Sequence, residues 1–127
     1  VVRCQSQTSK LVRDRILKAF PFPITVSVIE SEIRAQAAGY PTEQADRFAE
    51  MARSIFALPN VQPASHSFLH PYPWDPKDPN PGICTEGHMP LRPEIDDPVV
   101  DSVREIKGSI DYINETLLPE GFNPVKR

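Results

Sequence analysis

Two spaced pairs, His66-x-x-x-His70 and Cys84-x-x-x-His88, bring together the residue types with which proteins hold zinc. Imidazole nitrogen and thiolate sulfur are ligands that zinc prefers, and four such groups can close a tetrahedral structural site. The thirteen residues between the pairs leave enough chain to fold back. The spacing departs from common zinc modules, which place two cysteines about two to four residues apart, and His70 is constrained by the following Pro71. Zinc is therefore the alternative cofactor, and no cofactor is the first expectation. Cys84 and His88 also have the composition of a nucleophile and its base, with Glu86 or Asp75 to orient the imidazole. No recognisable active-site turn accompanies them, and Pro81-Gly82 reads as a bend. Asp96-Asp97 fits helix capping, and Asp75 and Asp78 fit turn chemistry better than acid–base catalysis. Five scattered glycines build neither a phosphate loop nor a dinucleotide fingerprint.

These residues lie in Pro59 to Pro98, a stretch of forty that holds ten of the fifteen prolines, all three histidines and the only Trp. Proline fixes φ and lacks a backbone donor, which excludes regular helix and central strand. The stretch is expected to be an extended arm that takes its shape from a surface it lies against. Within it, His70-Pro-Tyr-Pro-Trp-Asp-Pro alternates rings and prolines, a stiff chain that loses little entropy on docking. Tyr72 and Trp74 are its candidate partner-binding anchors.

The flanking elements read as helices. Thr8 or Ser9 can cap a helix over 9–20 with Val12, Ile16, Leu17 and Phe20 on its apolar side, ended by Pro21 and Pro23, with Phe22 buried at the turn. Ile24–Ile29 is β-branched and compatible with a short strand. Ser27 and Glu30, however, fit a capping box, so the preferred reading is a helix over 28–38 closed by Gly39. Thr42 caps a third helix with Ala45, Phe48, Ala52, Ile55 and Phe56 at helical spacing, stopped by Pro59. The expected buried face is Leu17, Phe20, Ile29, Ile33, Phe48, Met51, Ala52 and Ile55. Asp97 and Pro98 then launch a helix in which Val99, Val103, Ile106, Ile110, Ile113 and Leu117 alternate spacings of four and three, ending at Pro119 and Gly121. Such a helix is roughly 30 Å long. Its opposite face, with Asp101, Arg104, Glu105, Lys107, Asp111 and Glu115, reads as a solvated strip. The seam either packs as a fourth helix of the domain or meets a partner, which makes its six residues partner-binding candidates.

The fold class expected from this pattern is mainly α, a small bundle of three short helices plus one long C-terminal helix, with a proline-rich irregular segment between them. In residue terms it comprises a flexible tail over 1–8, three helices over 9–58, the arm over 59–97, the long helix over 98–118 and a tail over 119–127. At 127 residues the chain suits one domain with a modest core.

The net charge of −3 hides an asymmetry: residues 1–58 carry eight Lys/Arg against six Asp/Glu, and residues 59–127 carry six against eleven. Arg3, Lys10, Arg13, Arg15 and Lys18 face only Asp14. That patch can touch phosphates or anionic lipid and is too small to argue for nucleic acid. Two cysteines eighty residues apart make no disulfide framework, although a single Cys4–Cys84 bridge is possible. No apolar run approaches the length of a membrane span, which leaves peripheral membrane contact open. Asn114-Glu-Thr is formally a glycosylation sequon set within a helix.

Val1-Val-Arg-Cys-Gln, followed by Ser6, Gln7, Thr8 and Ser9, is similar to the residues around processing sites of chloroplast transit peptides, where an aliphatic residue precedes a small one such as Ala or Cys. The resemblance implies an organellar location, a chloroplast first, with the cytoplasm as the alternative. The function expected is that of a non-catalytic accessory subunit of a multi-subunit assembly, held by the arm and the long helix, with other protein subunits as partners. The alternative is a freestanding zinc-stabilised domain or small metal-dependent enzyme using His66, His70, Cys84 and His88. A third expectation is a helical adaptor for short peptides.

Overall fold

The computed structural model describes residues 2–35, 41–70, 101–122 and 124–125. The chain opens with helix α1 (Val2–Val12), which runs directly into a π-helical turn, Arg13–Leu17. Strand β1 (Ile24–Val28) follows, then the one-turn helix α2 (Glu30–Ile33). A 3-10 turn, Thr42–Gln44, leads into helix α3 (Ala45–Phe56), after which comes strand β2 (Val61–Ser65). The C-terminal helical run is composite. A π-helical stretch, Val103–Gly108, precedes the α-helical turn α4 (Ser109–Tyr112), and a second π-helical stretch, Ile113–Leu117, ends it.

The fold is mixed α/β, which corrects the expectation of a purely helical bundle carrying one long regular C-terminal helix. β1 and β2 pair in parallel with Ile24 opposite Val61 and Val28 opposite Ser65. Parallel strands need a crossover, and α2 and α3 supply it. The ladder is extended at both ends, where the Ile24 N–H donates to the Asn60 carbonyl at 2.9 Å and the His66 N–H to the Val28 carbonyl at 2.8 Å. Of the helix expected over 28–38, Glu30–Ile33 is helical, Val28 is taken by the long-range strand pairing, and residues 36–38 lie outside the described residues. Ser27 lies in β1, the helix cap is Ile29 without a side-chain bond, and the Glu30 carboxylate is engaged elsewhere. Ala35 turns to positive φ of 52° directly after α2, and Gly39 lies outside the described residues.

β2 occupies the start of what the sequence suggested was an arm. Its Pro63 is tolerated because, among the described residues, the sheet has two strands and both are edges, so a missing donor forfeits at most one ladder bond. At the other end of the chain, α1 begins at Val2, within the expected tail over 1–8.

The core consists of Leu17, Ala49, Ala52, Ile55, Phe56, Val61, Ile113 and Leu117. Ile24, Val26 and Val28, alternate residues of β1, pack against it together with Ile33, Met51 and Leu58. Phe20 and Phe22, expected inside, are 53% and 68% exposed. The C-terminal run buries Glu105, Ser109, Ile113 and Leu117, spaced four apart, and Ile110 beside them. In an α-helix such a stripe drifts by about 40° per step. The wider π-helical turns hold it closer to one line and leave the start of the four–three seam turned outward. Ile110, Ile113 and Leu117 are buried, whereas Val103 and Ile106 of the same seam are 64% and 53% exposed.

Side chains lock these elements together. Arg13 Nη1 donates to Ser54 Oγ at 2.8 Å, joining the first helix to α3, and Arg53 Nε donates to the Thr116 carbonyl at 2.9 Å, joining α3 to the C-terminal run. Asn114 both donates to the Val125 carbonyl and accepts from the Val125 N–H, so its amide is spent on pinning the C-terminal tail.

Phe56 is fully buried at the centre of this core. Replacing it with Ala is expected to cost about 3–5 kcal/mol through lost transfer energy and the cavity left behind, which urea denaturation monitored by circular dichroism will measure.

Candidate functional site

The densest polar cluster forms where β2 ends, α2 begins and the C-terminal run starts. Glu30, the first residue of α2, is 0% exposed. Burying a carboxylate is costly without partners, and Glu30 has two. Arg104 forks onto it, with Nη1 at 2.9 Å from Oε2 and Nη2 at 2.7 Å from Oε1. Arg34, one helical turn on, donates from Nε to Oε1 at 2.6 Å. The hydrogen bond to Glu30 raises the already high pKa of Arg104, and a planar guanidinium suits this two-point grip better than an ammonium.

Each arginine also covers a ring. Arg104 lies over Phe68, 3.8 Å from its centroid, and Arg34 over Tyr112 at 4.1 Å. Burial pushes the Tyr112 phenol up, and this outweighs the opposing effect of the Arg34 guanidinium.

A second buried carboxylate, Glu105, accepts through Oε2 from the backbone N–H groups of Phe68 and Leu69 at 2.9 and 2.8 Å. The loop after β2 is held from three sides. Glu30 N–H donates to the Ser67 carbonyl and Ser31 N–H to the Phe68 carbonyl. Ser65 Oγ donates to Ser109 Oγ at 2.8 Å, and Ser109 Oγ donates to the Ser67 carbonyl at 3.2 Å. This bonding sustains positive φ at Ser67 and His70, 68° and 58°, a conformation that costs free energy outside glycine. Arg104 and Glu105 were read as part of a solvated strip; their partners lie far away in sequence and left no local signal.

Gly108 completes the arrangement. A Cβ there would stand 2.6 Å from Arg104 Nη1. The missing side chain lets the guanidinium lie back along its own helix and reach Glu30.

Of the expected metal ligands, the structure brings His66 and His70 together as a ring stack, with centroids 4.5 Å apart and planes 16° from parallel. Imidazole lone pairs lie in the ring planes, so nearly parallel planes do not converge on one ion, and joint ligation requires one ring to rotate. Cys84 and His88 lie outside the described residues. Among the described residues no group of three or more His, Cys, Asp and Glu side chains is placed to share a metal. Tyr72, Trp74 and Val99 also lie outside the described residues. The remaining partner-binding candidates divide, with Ile110, Ile113 and Leu117 in the core and Val103 and Ile106 outward.

The arrangement therefore does mechanical work: two buried carboxylates clamp a loop to two helices. The two best-formed depressions among the described residues are open and shallow, one against the first helix and one beside Pro21, Pro23 and Pro59. No helix among the described residues is long and apolar enough to cross a membrane. No protein-family model, curated protein or solved structure matches this chain.

Two outcomes follow from the cluster. Gly108→Ala, which ordinarily gains about 1 kcal/mol inside a helix, will destabilise the wild-type protein because it displaces Arg104. In a Glu30→Met/Arg104→Leu background the same change will stabilise, and the sign reversal is read from a double-mutant denaturation cycle. The raised Tyr112 pKa means that the folded state holds its proton more tightly than the unfolded state. Its contribution to stability is thus complete below the ordinary value of 10.0 and is lost as pH rises through the folded value. Tyr112→Phe will flatten the decline in melting temperature above that pH.

Proposed function

We propose that this protein is a non-catalytic accessory subunit of a larger multi-subunit assembly, and that the outward half of its C-terminal seam is a docking surface for another subunit. The observation that carries the reading is the pair Val103 and Ile106, 64% and 53% exposed on a backbone fixed from the other side. Asp101 Oδ1 accepts from the Val103 and Arg104 N–H groups at 3.0 and 3.1 Å, capping the run in the manner of an N-cap aspartate. Arg104 and Glu105 then tie its first turn to Glu30 and to the Phe68–Leu69 backbone. Two β-branched side chains are thereby presented on a rigid helical face, the form in which an apolar groove of a partner takes up a helix. Pre-ordering of this kind lowers the entropy lost on association. The engagement of the buried carboxylates in structural bonds supports a non-catalytic role. The location we propose is organellar, in a chloroplast complex first, on the strength of the Val1–Ser9 resemblance alone.

The test is the native size of the particle that contains the chain. A tagged wild-type chain expressed in its source cells will elute in a particle several times its own mass. Val103→Ser/Ile106→Ser will elute as a free monomer with an unchanged melting temperature, because neither side chain belongs to the core. A monomeric wild type would overturn the reading.

A further inference from the structure

The first helix and the turn after it carry a second apolar surface, independent of the C-terminal seam. Leu11, Val12 and Ile16 are exposed there, and Phe20 and Phe22 project from the turn at 53% and 68% exposure. Exposed phenylalanines on a loose loop would mean little, but this turn is built. Asn60 Nδ2 stands 3.0, 3.2 and 3.2 Å from the carbonyl oxygens of Leu17, Phe20 and Phe22, sharing its two N–H groups among them. Pro21 and Pro23 stiffen the same four residues. The Asn60 carbonyl accepts from Ile24 N–H, so the sheet itself holds the amide that holds the turn.

The charge around this surface selects its occupant. Between residues 7 and 23 stand four cationic side chains and one anionic. The single carboxylate, Asp14, is taken up by Arg13 at 2.9 Å and Lys18 at 3.0 Å, whose hydrogen bonds hold it well below the usual carboxylate range. Lys10 and Arg15 are exposed, make no ion pair among the described residues, and flank Leu11 on the wall of one shallow depression. The rest of the chain is acidic, giving a net charge of −3, so a negative surface attracts this side of the molecule and repels the others. A lysine- and arginine-bearing helix with exposed Leu and Ile, continued by two projecting phenylalanines, has the composition of an element that lies in a membrane interface.

We propose that the first helix and the Phe20–Pro23 turn form a docking surface for anionic phospholipid. Phe20, Phe22, Leu11 and Ile16 enter the headgroup boundary, while Lys10 and Arg15 meet the phosphates. The site is peripheral, and it operates whether or not the outward seam residues bind a subunit.

The experiment is vesicle sedimentation of the full chain. With phosphatidylcholine vesicles containing about one third phosphatidylglycerol, the protein will pellet at low salt, and it will stay in the supernatant with pure phosphatidylcholine. Raising salt to about 0.5 M will release it, because screening then acts over a few ångströms. Lys10→Ala/Arg15→Ala will weaken partitioning about thirtyfold, from roughly fivefold per charge, and Phe20→Ser/Phe22→Ser will do so without lowering the melting temperature. A second readout places the turn directly: in a Trp74→Phe background, the fluorescence of Phe22→Trp will shift to the blue on adding anionic vesicles. Failure to pellet with anionic vesicles would overturn the proposal. So would pelleting that is indifferent to the phenylalanine pair, or a Phe22-dependent dimer in their absence.

Discussion

A carboxylate with no exposure to solvent is the constraint around which this chain is arranged. A carboxylate is costly to bury without partners, and those of Glu30 are one near and one distant in the sequence, Arg34 four residues on and Arg104 seventy-four residues on. Satisfying Glu30 fixes where the C-terminal run must start, since a guanidinium reaches only so far. It also fixes Phe68, which lies beneath Arg104, and brings the guanidinium to 2.6 Å from where a Cβ at Gly108 would stand. Replacing a buried ion pair with apolar side chains is often neutral or stabilising. The cluster is therefore better understood as selecting one arrangement of the elements than as the source of the protein's stability. Breaking one partner while leaving the other is the costly change.

The same cluster determines how the proline-rich part of the chain is attached. Glu105 binds the Phe68 and Leu69 amides, and the Ser65, Ser67 and Ser109 bonds add to this grip. Leu69 and Glu105, on either side of residues 71–100 in the sequence, are thus held at one anchored place. The positive φ values at Ser67 and His70 are the local strain that this clamp sustains.

What could be read from the residues, and what could not, follows the range of the interactions involved. Helix α3 was legible because its stop at Pro59 and the spacing of Ala45, Ala52, Ile55 and Phe56 are local. Strand β1 is only half legible, since the β-branched run at 24–29 suits a strand while Ser27 and Glu30 fit a capping box, and pairing with residues 61–65 gives Ile24–Val28 to the sheet and leaves Glu30–Ile33 helical. Strand β2 was hidden by Pro63, which the proline argument excluded from central strands but which an edge strand accepts. The seam of the C-terminal run was correct for Ile110, Ile113 and Leu117. At Val103 and Ile106 it does not pack into the core, because spacings of four and three presume α-helical turns, and π-helical turns leave those positions outward. Of the cluster around Glu30 nothing was legible, because no periodicity connects residues 30, 68 and 104. His66 and His70 were singled out for metal and stand together, stacked face to face.

The two outward apolar surfaces share a construction that bears on what they are for. Val103 and Ile106 face away from the core, so their backbone cannot be fixed by their own packing, and Asp101, Arg104 and Glu105 hold it with polar bonds from behind. Phe20 and Phe22 are in the same position, and Asn60 does for their turn what Asp101 and Glu105 do for the helix. An exposed apolar side chain on mobile backbone adds solvent-exposed hydrophobic area without specificity and is an aggregation hazard. On backbone fixed by polar side chains it becomes a pre-ordered contact, whose burial against a second surface is opposed by little further loss of conformational entropy. The polar investment at Asn60 and Glu105 is thus intelligible only together with the hydrophobic side chains it orients. The first helix differs from the C-terminal run in the charge beside those side chains: Lys10 and Arg15 are exposed around Leu11, whereas Lys107, two residues after Glu105, is engaged by Asp111. One face is consequently suited to a negatively charged surface and the other to an apolar groove, and nothing in the geometry requires them to be occupied by the same partner.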